Sequence, residues 1–191
     1  KKKKITSITN LNIAIDSFPR VSRFLTEFVQ DEIKDVIDNK IGDKNWDANL
    51  KSFIATAQGI VESTDLEVYP LAQKWFNGTG MYLDVPQTTD GCSWLSPNFK
   101  GSVAWSSSGL DTYNNVVTSS FNPTYTSAGG GAWLISTGST DFRVTQSFDT
   151  RSTKDLLVNA KEVVSRWYSG SIDNNGFIIK WENSVEFNTN T

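Results

Sequence analysis

The sequence contains no histidine. That absence excludes Ser-His-Asp and Cys-His nucleophilic catalysis, which need an imidazole to carry the proton, and removes the usual zinc ligand sets. Chemistry is left to carboxylates and to Tyr, Lys and Arg. Asp84, Asp90 and Asp111 fall in loop-like stretches. Two of them converging across a cleft would make the acid and base of a glycosidase. Nothing in their spacing brings two together, and solvated loop carboxylates are the commoner case. Trp75, Trp94, Trp105 and Trp133 offer flat apolar rings able to stack on sugars; the competing reading is that they pack a β-rich core or its loops. Cys92 has no imidazole partner and reads as a small buried residue.

Three glycine-containing motifs resolve to structural readings. Gly129-Gly130-Gly131 lacks the Lys-Ser/Thr that completes a phosphate loop, and reads as flexible or closely approached backbone. Asp173-Asn174-Asn175-Gly176 lacks the spaced acids and closing Glu of a calcium loop, and reads as a tight turn. Asn77-Gly78-Thr79 has the glycosylation-acceptor pattern and also reads as a turn. The expectation is a chain with no catalytic residue, no cofactor and no metal, working by contact. The candidate contact residues are aromatic and belong to the loop-rich stretch 81–131 and its exit: Trp94, Trp105, Tyr113, Tyr125 and Trp133.

These residues need elements to hold them. The chain has 191 residues, 38% hydrophobic and 12% aromatic, which suits one large β-rich domain. Net charge is −3, so no basic field exists to attract nucleic acid or anionic lipid. A single Cys rules out an intrachain disulfide and fits assembly in a reducing cytoplasm. No apolar run approaches the roughly 18 residues of a membrane span. Residues 1–21 read as an N-terminal extension opening on a four-lysine run, and 22–191 as a single β-sandwich domain.

Ser22–Val29 reads as a strand with Phe24, Thr26 and Phe28 on one face and Arg23, Leu25, Glu27 and Val29 on the other. A short helix is expected over 31–38, then strands at 49–57, 65–75, 132–136 and 142–148. Leu156, Leu157, Ala160, Val163, Val164 and Trp167 form an apolar stripe at helical spacing. With Ser152 and Asp155 at capping-box spacing and Gly170 at the far end, they predict an amphipathic helix over about 152–169 flanking the sandwich. Phe177–Trp181 reads as a buried strand.

Four segments, SRFLTEFVQDEI, LEVYPLAQKWFNGTG, TTDGCSW and the closing WYSG…NNGFIIKWE, together resemble DNRLRE-type β-sandwich domains, in that order and over most of residues 22–187. LEVYPLAQKW, DGCSW, GGGAW and SVEFNTNT look like virion structural proteins of large tailed phages. The resemblance implies a jelly-roll-like antiparallel sandwich that binds or scaffolds. The implied setting is a virion assembled in the host cytoplasm, as a tail, neck or head-surface protein. Its implied partners are other virion proteins and copies of itself. The same domains occur in extracellular carbohydrate-binding modules, so the alternative is a module stacking a host surface glycan on its loop tryptophans. The family pattern continues past 177–182, which makes the chain read as a fragment of a longer polypeptide.

Overall fold

The central strands are buried residue after residue, on both faces, and the fold follows from covering both. In the computed structural model the strands are, in chain order, β1 (Ile5–Thr9), β2 (Ser22–Thr26), β3 (Asn49–Ser52), β4 (Ser63–Pro70), β5 (Thr112–Asn114), β6 (Ala132–Leu134), β7 (Ser136–Thr137), β8 (Thr140–Asp141), β9 (Val144–Asp149), β10 (Leu156–Asn159) and β11 (Phe177–Trp181). Helix α1 (Gln30–Asp35) runs on into a wider π-helical turn, Val36–Ile41, and α2 spans Lys161–Ser169. The structure describes residues 5–9, 22–42, 44–53, 63–80, 85–86, 88, 90–94, 96–98, 103–105, 112–114, 130–137, 139–149 and 155–182.

The fold is mainly β, with antiparallel sheets and a flanking helix, as composition and alternation lead one to expect. Five strands pair in the order β1-β2-β11-β4-β9. The sequence's last described strand, β11, therefore sits in the middle, flanked by β2 and β4. Its registers place Leu25, Ile178 and Tyr69 side by side, and Lys180 beside Glu67. Residues paired in register share a face. One face thus carries Arg23, Leu25, Ile178, Lys180, Glu67 and Tyr69. The other carries Phe177, Ile179, Val68 and Phe148.

The second face packs on α2, α1 and the β3–β10 ribbon. Leu50, Val158, Val163, Trp167, Phe177 and Ile179 meet in one core there. Trp167 and Phe177 lie 4.7 Å apart between ring centroids, with Phe28 against both. The first face is covered by a loop layer with little regular structure, in which Leu71, Trp75, Trp94, Trp105 and Trp133 close over Leu25, Tyr69 and Ile178.

The helix expected over about 152–169 is shorter than its apolar stripe implied, and this is a correction. Leu156–Asn159 is strand β10, paired antiparallel with β3. Its burial alternates, Leu156 and Val158 inside and Leu157 and Asn159 outside, with a period of two rather than 3.6. Gln146 of β9 holds this strand from its other edge: its Oε1 accepts from Leu157 N at 2.7 Å and its Nε2 donates to Asp155 O at 2.9 Å. The backbone thus finds partners as a strand that a helix would have forgone. The helix begins after Ala160, and the N–H of Lys161 donates to Asn159 Oδ1 at 2.9 Å, so Ser152 is not its cap. Gly170 ends it as expected, in the left-handed region at φ 74°, with Ser171 N reaching back to Arg166 O.

The other differences are smaller. Strand β2 stops at Thr26, the 49–57 strand is described only as Asn49–Ser52, and the strand expected over 65–75 is β4, Ser63–Pro70. Pro70 stands at the end of β4.

Candidate functional site

The loop-covered face gathers most of the polar and aromatic groups that could act. It begins with Arg23, placed by strand alternation on the same side as Leu25 and wholly buried. Its guanidinium carbon lies 4.8 Å from the Trp94 ring centroid and 5.3 Å from that of Trp133, a cation held against two indole faces. Arg23 Nη1 donates to Gly130 O at 2.9 Å, and Gly130 N donates to Trp94 O at 2.6 Å. This explains Gly130 and Gly131. A side chain at Gly130 would collide with the Arg23 guanidinium and the Trp94 ring, and one at Gly131 would meet Ile178 Cδ1 at 2.7 Å. Both residues also take positive φ, at 76° and 113°. The backbone comes this close because nothing projects from it.

One indole further on, Lys180 Nζ lies 5.9 Å from the Trp133 centroid. Lys180 is 1% exposed and donates to Glu67 Oε2 at 3.0 Å and to its neighbour's carbonyl, Trp181 O. Glu67 is also held by Arg143 Nη2 at 2.7 Å and accepts from the Tyr69 hydroxyl at 3.3 Å. Burial, then the Glu67 charge, pushes the Tyr69 phenol above its ordinary range. The Glu67 charge likewise raises Arg143. Tyr69 therefore stays a neutral donor, Arg143 a cation, and the set forms a charge-assisted network. Trp133, Arg23 and Lys180 link it to the loop layer.

This arrangement ties layers together. Its groups are committed to one another: each carboxylate oxygen of Glu67 faces a cation, and the Tyr69 phenol is spent as a donor.

Among the sequence-derived candidates, Trp94, Trp105 and Trp133 do come together, but inside, at 8%, 2% and 2% exposure. Trp105 Nε1 donates to Ser93 O at 3.0 Å and Trp75 Nε1 to Asn175 O at 3.0 Å, so both indoles are anchored. The rings expected to face a sugar or a neighbouring subunit are thus packed in this chain's own core, because apolar area on this scale gains more by burial than by exposure. Tyr113 lies on β5, opposite Trp133 of β6. Tyr125 lies outside the described residues, as do Asp84 and Asp111. Asp90 is half-buried and clamps the 77–80 turn, accepting from Thr79 N at 2.9 Å and Thr79 Oγ1 at 2.7 Å. Those two bonds hold its carboxyl below the usual range. Cys92, expected to be a small buried residue, is half-buried, and burial pushes its thiol up to about 11.

Sequence reading did not single out Arg23, Glu67, Tyr69, Arg143 or Lys180. Charged residues alternating with apolar ones ordinarily mark a strand's solvent face. The available signal was weak: Lys180 sits inside an otherwise apolar run, FIIKW. Among the described residues no three His, Cys, Asp or Glu side chains converge to hold a metal, and no helix is long and apolar enough to cross a membrane. No family model, curated protein or solved structure matches the chain.

Proposed function

We propose that the chain is a non-enzymatic structural component of a tailed-phage virion, acting through subunit interfaces with copies of itself and other virion proteins. The virion setting rests on the resemblance of its four segments. The interfacial mode rests on one observation. The loop layer spends its indoles internally, yet Phe76 and Val103 stand on it 54% and 55% exposed. Phe76 and Val103 belong to one part of that layer, since Phe76 N bonds Pro97 O at 2.9 Å and Val103 O accepts from Ser96 Oγ at 2.7 Å. Exposed apolar groups on a rigidly held layer are what an assembly contact uses. Burial of Trp94, Trp105 and Trp133 counts against the carbohydrate-binding alternative, which needs ring faces open to sugar.

Two measurements test this. Purified particles of the encoding phage should contain the chain at a fixed copy number; a chain present in infected cells but never in particles overturns the virion reading. Sedimentation of the intact chain should show association that weakens in the Phe76→Ser, Val103→Ser double variant. If instead a polysaccharide panel protects its tryptophans from acrylamide quenching, the glycan reading displaces the interfacial one.

A further inference from the structure

Lys180 and Glu67 face each other in register across β11 and β4, neighbouring strands in the middle of the sheet. Both are buried, and Lys180 Nζ reaches Glu67 Oε2 at 3.0 Å. A primary amine and a carboxyl group held this close and out of water are the two halves of an amide. Their fixed apposition replaces the bimolecular encounter that makes such a condensation slow. Exclusion of water removes the reagent that would reverse it.

The surrounding contacts match the steps of that reaction. Arg143 Nη2 lies 2.7 Å from Glu67 Oε1, a cation placed where negative charge develops when the carboxyl carbon is attacked. Oε2, the oxygen that would leave, also accepts from the Tyr69 hydroxyl at 3.3 Å. Burial, then the Glu67 charge, holds that phenol above its ordinary range, so it keeps its proton and can donate to the departing oxygen. The second acceptor for Lys180 Nζ, Trp181 O, suits the single N–H that an amide nitrogen retains. A buried ion pair alone is weak evidence of a stabilising role. This one differs in that each carboxylate oxygen has its own partner, suited to its own step.

We propose that Lys180 and Glu67 condense, after folding, into an intramolecular isopeptide bond. A proton passes from Nζ to Oε2. The neutral amine attacks Cδ, forming the N–C bond and placing negative charge on Oε1 beside Arg143. A second proton leaves Nζ for Oε2, the Cδ–Oε2 bond breaks, and one water departs as Oε1 returns to a carbonyl. Ammonium and carboxylate thus become amide and water, with no oxidant, cofactor or other reactant. The freshly folded chain carries the ion pair, and the amide accumulates from it. The bond joins residues 113 apart in sequence, a staple that no disulfide can supply in a chain with one Cys. It is independent of any virion role.

The test is intact mass spectrometry of the purified chain, incubated folded and sampled over days. Its mass should fall by that of one water, and proteolysis should release a branched peptide joining the segments around Glu67 and Lys180. The same chain held unfolded in urea should keep its full mass. Lys180→Arg keeps the cation without the primary amine and should also keep its full mass. Asp90-Gly91 offers a competing source of a lost water, a succinimide, and a loss from there would persist in Lys180→Arg. The parent's own mass and peptides decide the matter even where the variant fails to fold. The proposal is overturned if the folded parent retains its full mass, if the loss persists in Lys180→Arg, or if no peptide joins Glu67 to Lys180.

Discussion

Glu67 is the residue on which the loop-covered face balances. It sits at 7% exposure between Lys180, which is 1% exposed, and Arg143, which is half in solvent. The two cations are not equivalent. Removing the carboxylate strands Lys180 in the core, whereas removing Lys180 leaves Glu67 with Arg143 and the Tyr69 hydroxyl. Breaking a buried pair from the side that strands a charge costs about 3–5 kcal/mol. Glu67→Gln should therefore lose about that much stability in urea denaturation, and Lys180→Met less, about 1–2 kcal/mol. The double variant should be more stable than Glu67→Gln alone, because Met needs no counter-charge. Strictly additive losses would show that Lys180 and Glu67 do not depend on each other. At this scale the sequence hid most. Alternation assigned Arg23 and Leu25 to one face of their strand, but a sequence does not show that a loop rich in Trp will fold over that face and bury the Arg.

At the scale of elements, the segment before α2 shows how two periods compete for the same letters. In LLVNAKEVVSRW a helical reading puts Leu157 on the stripe and leaves Val158 off it. A strand reading reverses them. The structure buries Val158 to 4% exposure and leaves Leu157 at 56%. What decides is outside the segment: β3 supplies a ladder on one side and the Gln146 side chain two hydrogen bonds on the other. Val158→Ala should cost about 2 kcal/mol as a core truncation, and Leu157→Ala should stay within about 0.5 kcal/mol as a surface change. The reverse order in thermal denaturation would restore the helical reading. Elements whose signals are local were legible: Gly170 as a left-handed stop, Phe177–Trp181 as a buried strand, and the short helix near 31–38, found as α1 and its π-helical continuation. The β10 boundary was not, because tertiary partners set it.

At the scale of the whole molecule, two cores lie on opposite sides of one sheet and share its middle strands. Strand β11 gives Ile178 to the loop-covered core and Phe177 and Ile179 to the helix-covered one; β4 gives Tyr69 to the first and Val68 to the second. Neither core persists without the strands that the other helps to hold, so the sheet should couple them into one cooperative unit. The sequence made this partly legible: β11 reads as apolar on both sides, the pattern of a strand buried on both faces. Leu25→Ala tests the coupling, since Leu25 is wholly buried in the loop-covered core and absent from the other. The truncation should cost about 2–4 kcal/mol. Hydrogen exchange at the β10 amides, across the sheet, should accelerate by the factor that this loss of global stability predicts. Tryptophan fluorescence and far-ultraviolet circular dichroism should still give one coincident transition. If only amides of the loop layer, such as Cys92 and Gly130, speed up while β10 keeps its protection, the cores open separately and the sheet is a partition between them rather than a coupling.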